Sequence, residues 1–187
     1  INCAEQLKPV ILELGGKDPM IVLKDANLKR AARAAVWSGF HNAGQTCISV
    51  ERIYVDENVA DDFIQLVKDL TNLVSYGKGP NFSDIGSIST KSQFEKITSL
   101  LQDAIDKGAT IDNHNINNNN DSLFFQPLVI TDSDDTMKIM KEEIFGPVIV
   151  ISKVRNEKEA IKKANSMNFG LNASIFTRNK KKARLLA

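Results

Sequence analysis

The sequence predicts an α/β fold in which a largely parallel, twisted sheet is flanked by helices. Short β-rich runs alternate with longer segments whose apolar residues recur at helical spacing. The 187 residues, 42% of them hydrophobic, can bury a core of ordinary size, which predicts a single domain over 1–187. Strands separated by helices of this length favour parallel pairing.

The pattern of apolar residues in the first half of the chain predicts alternating strands and helices. The runs at 8–16 and 18–25 are predicted strands, because they are rich in β-branched and apolar residues and end at glycine or aspartate. A helix is predicted over 27–40 and a further strand over 49–57. Apolar residues then recur at helical spacing over 59–74, which predicts a second amphipathic helix.

The second half of the chain continues the alternation. Thr90 and Gln93 form a predicted capping box for a helix that ends at Gly108, and Asn156 with Glu159 predicts a similar helix start. Strands are predicted at 124–131, 146–154 and 171–177. The fold class follows from this order of elements.

Charge and composition narrow the functional class. Lys and Arg number 24 against 23 Asp and Glu, so no summed field favours nucleic acid or an anionic membrane. The apolar runs are far shorter than a membrane span, and no leader is evident, which predicts a soluble, cytoplasmic protein. The asparagine-rich stretch 112–121 is predicted to be a surface loop. These observations favour a small-molecule partner.

Cys47 is the first candidate for chemistry. The chain has two cysteines, Cys3 and Cys47, too few for a disulfide framework and in no metal-binding pattern. An isolated cysteine is often a small buried hydrophobe. However, Cys47 follows the Gly-Gln-Thr corner at 44–46, and such a corner can expose a thiol beside free backbone N–H groups. Neither His41, predicted on the helix, nor His114, in the asparagine loop, is a convincing base for a cysteine protease.

Two carboxylate-bearing motifs are the other candidates. Glu13 lies in "LELGGKDP", inside the predicted strand at 8–16, and is either a strand-end residue bonded to backbone or a general base. Desolvation would raise the pKa of its carboxyl, which suits a group that deprotonates water. The segment "EEIFGPV" at 142–148 places a carboxylate pair before a Gly-Pro turn into a strand, and by itself it indicates only a strand start.

Taken together, these motifs resemble the NAD(P)-dependent aldehyde dehydrogenase superfamily. The matching segments run in order along nearly the whole chain: "LELGGKDPMIV", "FHNAGQTC", "KGPNFSDIG", "FFQPLVITDSDDTMKIMKEEIFGPV" and "FGLNASIFT". The resemblance implies a catalytic domain in which Cys47 is the nucleophile and Glu13 the base that activates water. A cysteine thiohemiacetal and then a thioester would form, and hydrolysis would release a carboxylic acid.

The resemblance also implies a coenzyme site, a substrate pocket and partners. Glu143 would bind the hydroxyls of the nicotinamide ribose and Phe145 would pack beside the ring, with Leu14 and Gly15 lining the pocket through their backbone. The residues next to the thiol, Gln45, Thr46 and Ile48, would shape the substrate pocket. The implied cofactor is NAD or NADP, the substrate a small aldehyde, and the full-length enzyme a homo-oligomer, with no metal, nucleic acid or membrane partner. The family's coenzyme-binding domain and final segment are absent, so the chain is expected to be a catalytic domain or fragment that is inactive alone.

Three alternatives stay open on the sequence. A CoA-acylating semialdehyde dehydrogenase would use the same cysteine, but such relatives tend to lack the glutamate at position 13. A non-phosphorylating glyceraldehyde-3-phosphate dehydrogenase also resembles "LELGGKD", although no arginine lies beside Cys47 to bind a phosphate. A structural or binding module that retains the fold is the alternative outside enzymes, and the intact cysteine and glutamate argue against it.

Overall fold

The computed structural model describes residues 2–77, 83–112 and 122–187. The strands are β1 (Asp18–Val22), β2 (Val50–Asp56), β3 (Thr110–Ile111), β4 (Leu128–Thr131), β5 (Val148–Val154) and β6 (Ser174–Phe176). The helices are α1 (Asn2–Glu5), α2 (Leu28–Phe40), α3 (Ala60–Thr71), α4 (Lys91–Asp106), α5 (Glu157–Ala164) and α6 (Lys180–Leu186). Short 3₁₀ turns lie at Glu57–Val59 and Lys138–Met140, and a left-handed turn lies at His41–Gly44.

The strands form one mixed sheet in the order β3-β4-β5-β2-β1-β6. Neighbouring strands from β4 to β6 pair in parallel, and the short β3 pairs antiparallel with β4 at the edge. All seven residues of β2 are buried, so both faces of the sheet are covered at its centre. Helices α2 and α3 pack together against strands of the sheet, and α5 packs on β1, β2 and β5. The predicted α/β fold with a largely parallel, helix-flanked sheet is confirmed.

The predicted helix starts are confirmed, with one difference in each. The side chain of Thr90 accepts the N–H of Gln93 at 3.2 Å, and that of Asn156 accepts the N–H of Glu159 at 3.1 Å. The reciprocal bond of a capping box is replaced in both helices: Gln93 donates to the Ile144 carbonyl, and Glu159 accepts from the N–H of Arg155. The helix α4 is followed by Gly108 at φ +90°, as its predicted stop requires.

The strand predicted at 8–16 is wrong. Residues 8–17 belong to no strand, and the side chains of Ile11, Leu12 and Leu14 are exposed. A strand needs a neighbour for its backbone N–H and C=O groups, and none of the described strands lies beside this segment. The apolar, β-rich composition of this segment therefore does not produce a strand in the described part of the chain. The stretch 113–121, including His114, lies outside the described residues, as does 78–82.

Candidate active site

The candidate site forms where three glycine-containing segments precede three adjacent strands. Segment 12–17 precedes β1, segment 41–49 precedes β2, and segment 142–147 precedes β5. Because β1, β2 and β5 are neighbours and parallel, their amino ends meet at one edge of the sheet. The topology thereby brings together motifs that are far apart in sequence.

The segments before β2 and β5 meet through two glycines. A Cβ on Gly44 would lie 2.0 Å from the carbonyl oxygen of Gly146, so a side chain at position 44 has no space. Gly44 also ends a run of three left-handed residues, Asn42, Ala43 and Gly44, at φ 53°, 57° and 70°. Such a turn is unfavourable for residues with a Cβ and depends on the surrounding contacts to hold it. The corner predicted from Gly44 is thus confirmed.

Cys47 lies in the turn that follows this corner. The N–H of Ser49 donates to the Thr46 carbonyl at 2.9 Å, and the Ser49 hydroxyl donates to the Ser38 carbonyl at 3.0 Å, which ties the turn to α2. The thiol residue is half-buried, whereas Cys3 on α1 is exposed. A Cβ on Gly16 would lie 2.1 Å from the carbonyl oxygen of Cys47, so the segment before β1 passes directly against the cysteine backbone.

Glu143 joins the segment before β5 to the segment before β1. Its Oε1 accepts the N–H of Gly16 at 2.9 Å. A Cβ on Gly15 would lie 2.6 Å from Oε2 of the same carboxylate, so the carboxylate packs directly against the backbone at Gly15 and leaves no space for a side chain there. Within the part of the chain that the structure describes, no hydrogen bond to Oε2 is found, which leaves an acceptor for a hydroxyl group. Gly15, Gly16 and Glu143 thus form a tight cradle in which the carboxylate packs against the glycine backbone, and a hydroxyl group of a ligand is the kind of donor that Oε2 can still accept.

Phe145 adopts a left-handed backbone at φ +51°, which is unusual for a bulky residue. Hydrogen bonds hold both sides of the turn. Gln93 Nε2 donates to the carbonyls of Ile144 and Phe145 at 2.7 and 3.3 Å. The N–H groups of the same two residues donate to the carboxylate of Glu51, each at 2.9 Å.

Glu51 belongs to a buried charged pair beneath the site that the sequence reasoning did not identify. Lys17 Nζ lies 2.6 Å from Glu51 Oε2, and both side chains are almost fully buried. Burial lowers the pKa of Lys17, and the Glu51 carboxylate opposes this effect. The available signal was two adjacent charged residues in each of two apolar segments, "KDPMIV" and "SVERIYV", because buried charges are usually paired.

Arg52, the next residue on β2, is also buried and binds backbone. Its Nε and Nη2 donate to the carbonyl of Lys17 at 2.9 and 2.7 Å, and its remaining contacts include the Ala164 carbonyl at the end of α5. Arg52 therefore fixes the backbone of Lys17, directly after the glycines, while Glu51 holds the Lys17 side chain.

The residues predicted around the thiol have different placements. Gln45 Oε1 accepts from the N–H and hydroxyl of Ser89 at 2.8 and 2.7 Å, and Nε2 donates to the Ser87 carbonyl, so this amide ties the corner to the start of α4. Thr46 is half-buried, and Ile48 is exposed. Their contact with a substrate stays a prediction.

Glu13 and Leu14 lie on the exposed segment that precedes Gly15. The structure places Glu13 three residues before the glycine that contacts Cys47, but its carboxylate is exposed and the described residues do not bury it. The burial on which the general-base argument rested is therefore not provided by this part of the chain. His41 lies one residue beyond α2, not on the helix, and its ring stacks on Trp37 with centroids 5.1 Å apart.

Asp18, at the start of β1, carries a buried carboxyl with one unpaired oxygen. Oδ1 accepts the N–H of Asn172 at 3.1 Å, whereas Oδ2 has no partner among the described residues. Desolvation by burial raises the pKa of Asp18 to about 6 from the ordinary 3.8.

The protein's stability should therefore fall as pH rises through the range between 3.8 and about 6, because the folded state keeps a proton that the unfolded state releases. We expect the Asp18→Asn variant to lose this dependence and to gain on the order of 1 kcal/mol relative to the parent at neutral pH. Urea unfolding of the 187-residue chain and its variant at about pH 4 and about pH 7 measures the difference.

Asp25 is the matched control for this measurement. Burial opposes ionisation, but hydrogen bonds from Thr177 and Arg178 lower the pKa of Asp25. Asp25→Asn should therefore destabilise the protein more as pH rises, the opposite sign. Equal pH profiles for the parent and Asp18→Asn would contradict the expectation.

Comparison with known proteins defines the class of this α/β chain with a cysteine at the amino edge of its sheet. The model of the aldehyde dehydrogenase family matches residues 1–187. The chain belongs to the aldehyde dehydrogenase family, and the resemblance seen in its motifs is confirmed.

Three similar proteins illustrate the range of the family. The chain is 42% identical to a 4,4'-diapolycopene aldehyde oxidase from Methylomonas over 180 residues, covering 96% of this chain and 33% of the relative. It matches an NADP-dependent glyceraldehyde-3-phosphate dehydrogenase from Bacillus halodurans, solved with NADP, at a TM-score of 0.90 and 34% identity, covering 99% of this chain and 40% of that one. A betaine aldehyde dehydrogenase from Staphylococcus aureus, solved with NAD+, matches at a TM-score of 0.86 and 34% identity, with 99% and 38% covered. The chain thus spans between a third and two fifths of the length of these relatives.

The described residues contain neither a membrane-spanning helix nor a cluster of metal-binding side chains. No helix in residues 2–77, 83–112 and 122–187 is long and apolar enough to cross a membrane. Within these ranges, no group of three His, Cys, Asp or Glu side chains is arranged to hold a metal ion.

Proposed function

We propose that the full-length protein is an enzyme that oxidises a small aldehyde to a carboxylic acid with NAD or NADP, and that this chain is its catalytic part. The observation that carries the proposal is the meeting of Cys47 and Glu143 at Gly16, since one glycine contacts the cysteine carbonyl and donates to the Glu143 carboxylate. Membership of the family and the NADP and NAD+ complexes of its relatives support the coenzyme.

Cys47 carries the covalent step of the proposed mechanism. Its thiolate sulfur forms a bond to the aldehyde carbon, and the carbonyl electrons move to oxygen, which the backbone N–H of Cys47 stabilises. NAD(P)+ supplies the hydride acceptor when it is bound. The acyl group that stays on Sγ is a thioester.

Glu13 acts in the second half of the reaction. Its carboxylate takes a proton from water as the water oxygen bonds to the thioester carbon, and the C–S bond breaks to return the thiolate and release the carboxylic acid. Glu13 is three residues from Gly16, and three residues span at most about 11 Å, so the carboxylate is tethered close to the cysteine backbone. In this proposal the rest of the protein covers the segment and completes the base's surroundings.

Glu143, Phe145, Leu14 and Gly15 form the coenzyme side of the proposed site. Oε2 of Glu143, which has no hydrogen bond among the described residues, would accept from a ribose hydroxyl, and Phe145 would pack beside the nicotinamide. Leu14 and Gly15 would line the nicotinamide pocket through their backbone, and the missing side chain of Gly15 lets the Glu143 carboxylate pack directly beside that backbone. Thr46 and Ile48 face the aldehyde, and Gln45 holds the corner that presents the thiol.

The exposed apolar residues before the site support the proposal that this chain works within a larger assembly. Ile11 and Leu7 are each 91% exposed, and Leu12 and Leu14 are more than half exposed. Soluble proteins rarely leave such a run uncovered. We propose that the full-length enzyme covers it and is a homo-oligomer.

An aldehyde panel with the full-length protein tests the function. We expect reduced nicotinamide to form only when aldehyde and NAD or NADP are both present, with no requirement for CoA. Formation that depends on CoA would favour the acylating alternative. No reduction with either coenzyme across aliphatic, aromatic and phosphorylated aldehydes would support a non-catalytic module.

A further inference from the structure

Glu51 contacts parts of the site on both sides of its strand. It lies on β2, the central strand of the three whose amino ends carry the site, and is 2% exposed. Its carboxylate accepts from Lys17, which follows the Gly15–Gly16 pair. It also accepts from the N–H groups of Ile144 and Phe145, which follow Glu143. One buried side chain thus joins the segments before β1 and β5.

We propose that Glu51 is a positioning residue, which fixes the turn at 143–145 so that Glu143 and Phe145 are held ready for the coenzyme. The effect on coenzyme binding rests on the proposed function. The support of the turn rests on the geometry alone. Glu51 does not touch the reacting atoms and acts through the backbone of the turn.

The turn needs such support because Phe145 is held in a left-handed conformation. A non-glycine residue in this region is strained and persists only when its surroundings determine it. Gln93 binds the carbonyl oxygens of the turn from α4, and Glu51 binds its N–H groups from β2, so the peptide groups are held from two elements. Hydrogen bonds to a buried carboxylate are about twice as strong as neutral ones.

A purely structural role for Glu51 makes a different prediction. In that case Glu51 serves to neutralise the buried Lys17, and removing both charges together should restore the turn. Replacing a buried ion pair by apolar or neutral groups is often harmless to stability. The double variant Lys17→Met/Glu51→Gln therefore separates neutralisation of Lys17 from support of the turn.

The experiment compares Glu51→Gln, the double variant and Asp56→Asn in the full-length protein. Asp56 is a matched control, because it is a buried carboxylate at the other end of β2 that caps Asn58 at 3.1 Å and does not contact the turn. Hydrogen exchange of the Ile144 and Phe145 amides is measured without coenzyme, and NADH and NADPH affinity is measured by titration. Alkylation of Cys47 by iodoacetamide reports whether the thiol corner is intact.

We expect amide exchange at 144 and 145 to be about tenfold faster in both Glu51 variants and the coenzyme dissociation constant to rise by a similar factor. Cys47 alkylation should be unchanged, and Asp56→Asn should resemble the parent in every readout. If Glu51→Gln fails to fold, the double variant, which buries no uncompensated lysine, carries the test.

The outcomes separate the hypotheses. Parental exchange in the double variant, equal acceleration in Asp56→Asn, or faster exchange with unchanged coenzyme affinity would each overturn the proposal. A parent that binds neither NADH nor NADPH, with faster exchange in both Glu51 variants, would refute the proposed function and leave the positioning of the turn supported.

Discussion

Replacing Cys47 by alanine in the full-length protein should abolish aldehyde oxidation and leave coenzyme binding nearly intact. The thiolate supplies the covalent bond on which both halves of the proposed reaction depend, and removal of a nucleophile from such a site costs roughly 10⁴-fold or more. Cys47 lies in a turn held by Ser49 and contacts the cradle through its backbone carbonyl, which alanine retains. The rate of aldehyde-dependent coenzyme reduction and a coenzyme titration measure the two effects.

Cys3 provides the matched control for this prediction. Cys3 is the other of the two cysteines and is exposed on α1, so Cys3→Ala should keep the parental rate. Iodoacetamide should inactivate the parent and the Cys3→Ala variant alike, because the reacting thiol is retained in both. Oxidation at a near-parental rate by Cys47→Ala would refute the role of Cys47.

The motifs that define the site were recognisable in the sequence, but their meeting was not. Each motif lies directly before an apolar strand. Had the strand order been known, this position would have indicated that the motifs share one edge of the sheet. The order β5-β2-β1 is set by tertiary packing, and no local pattern specifies it. Ligand sites in open parallel sheets commonly lie at the carboxyl ends of strands, so that general rule would have indicated the edge opposite to the candidate site.

The glycines show what sequence can and cannot reveal. A turn was predictable at Gly44, because glycine accepts the left-handed conformation found there. The reason that Gly44 excludes a side chain is its contact with the Gly146 carbonyl, a residue far along the chain. Likewise, the helix cap at Thr90 follows from local spacing, whereas the bonds from Gln93 to the turn at Phe145 depend on tertiary structure.

The wrong strand prediction at 8–16 also has its cause in tertiary structure, because strand pairing is not specified locally. Its content of β-branched and apolar residues is typical of a strand, but pairing requires a neighbouring strand, and the described sheet ends at β6 beyond β1. The same segment carries Glu13, which is exposed among the described residues, so the desolvation on which its general-base interpretation depends is not supplied by this part of the chain. Its chemical role depends on what surrounds the segment in the full-length protein.

Glu13→Gln in the full-length protein should slow thioester hydrolysis far more than the first turnover. An amide cannot take a proton from water, and loss of a general base typically costs about 10²- to 10⁴-fold. The formation of acyl-Cys47 needs no such base, so rapid mixing with saturating aldehyde should give a burst of reduced coenzyme close to the enzyme concentration, followed by a slow phase.

A hydroxylamine rescue and a control variant show whether the slow phase of Glu13→Gln reflects the loss of water activation. Hydroxylamine attacks a thioester without a general base, so adding it should restore fast turnover in Glu13→Gln and change the parent little. Glu142→Gln is the control, because Glu142 is an exposed glutamate in the segment before β5 and has no proposed role. It should show neither burst nor rescue beyond those of the parent. If Glu13→Gln turns over at the parental rate, or if its burst is lost together with the steady rate, Glu13 does not activate water and the segment 12–16 serves instead to place Gly15 and Gly16 against Glu143 and Cys47.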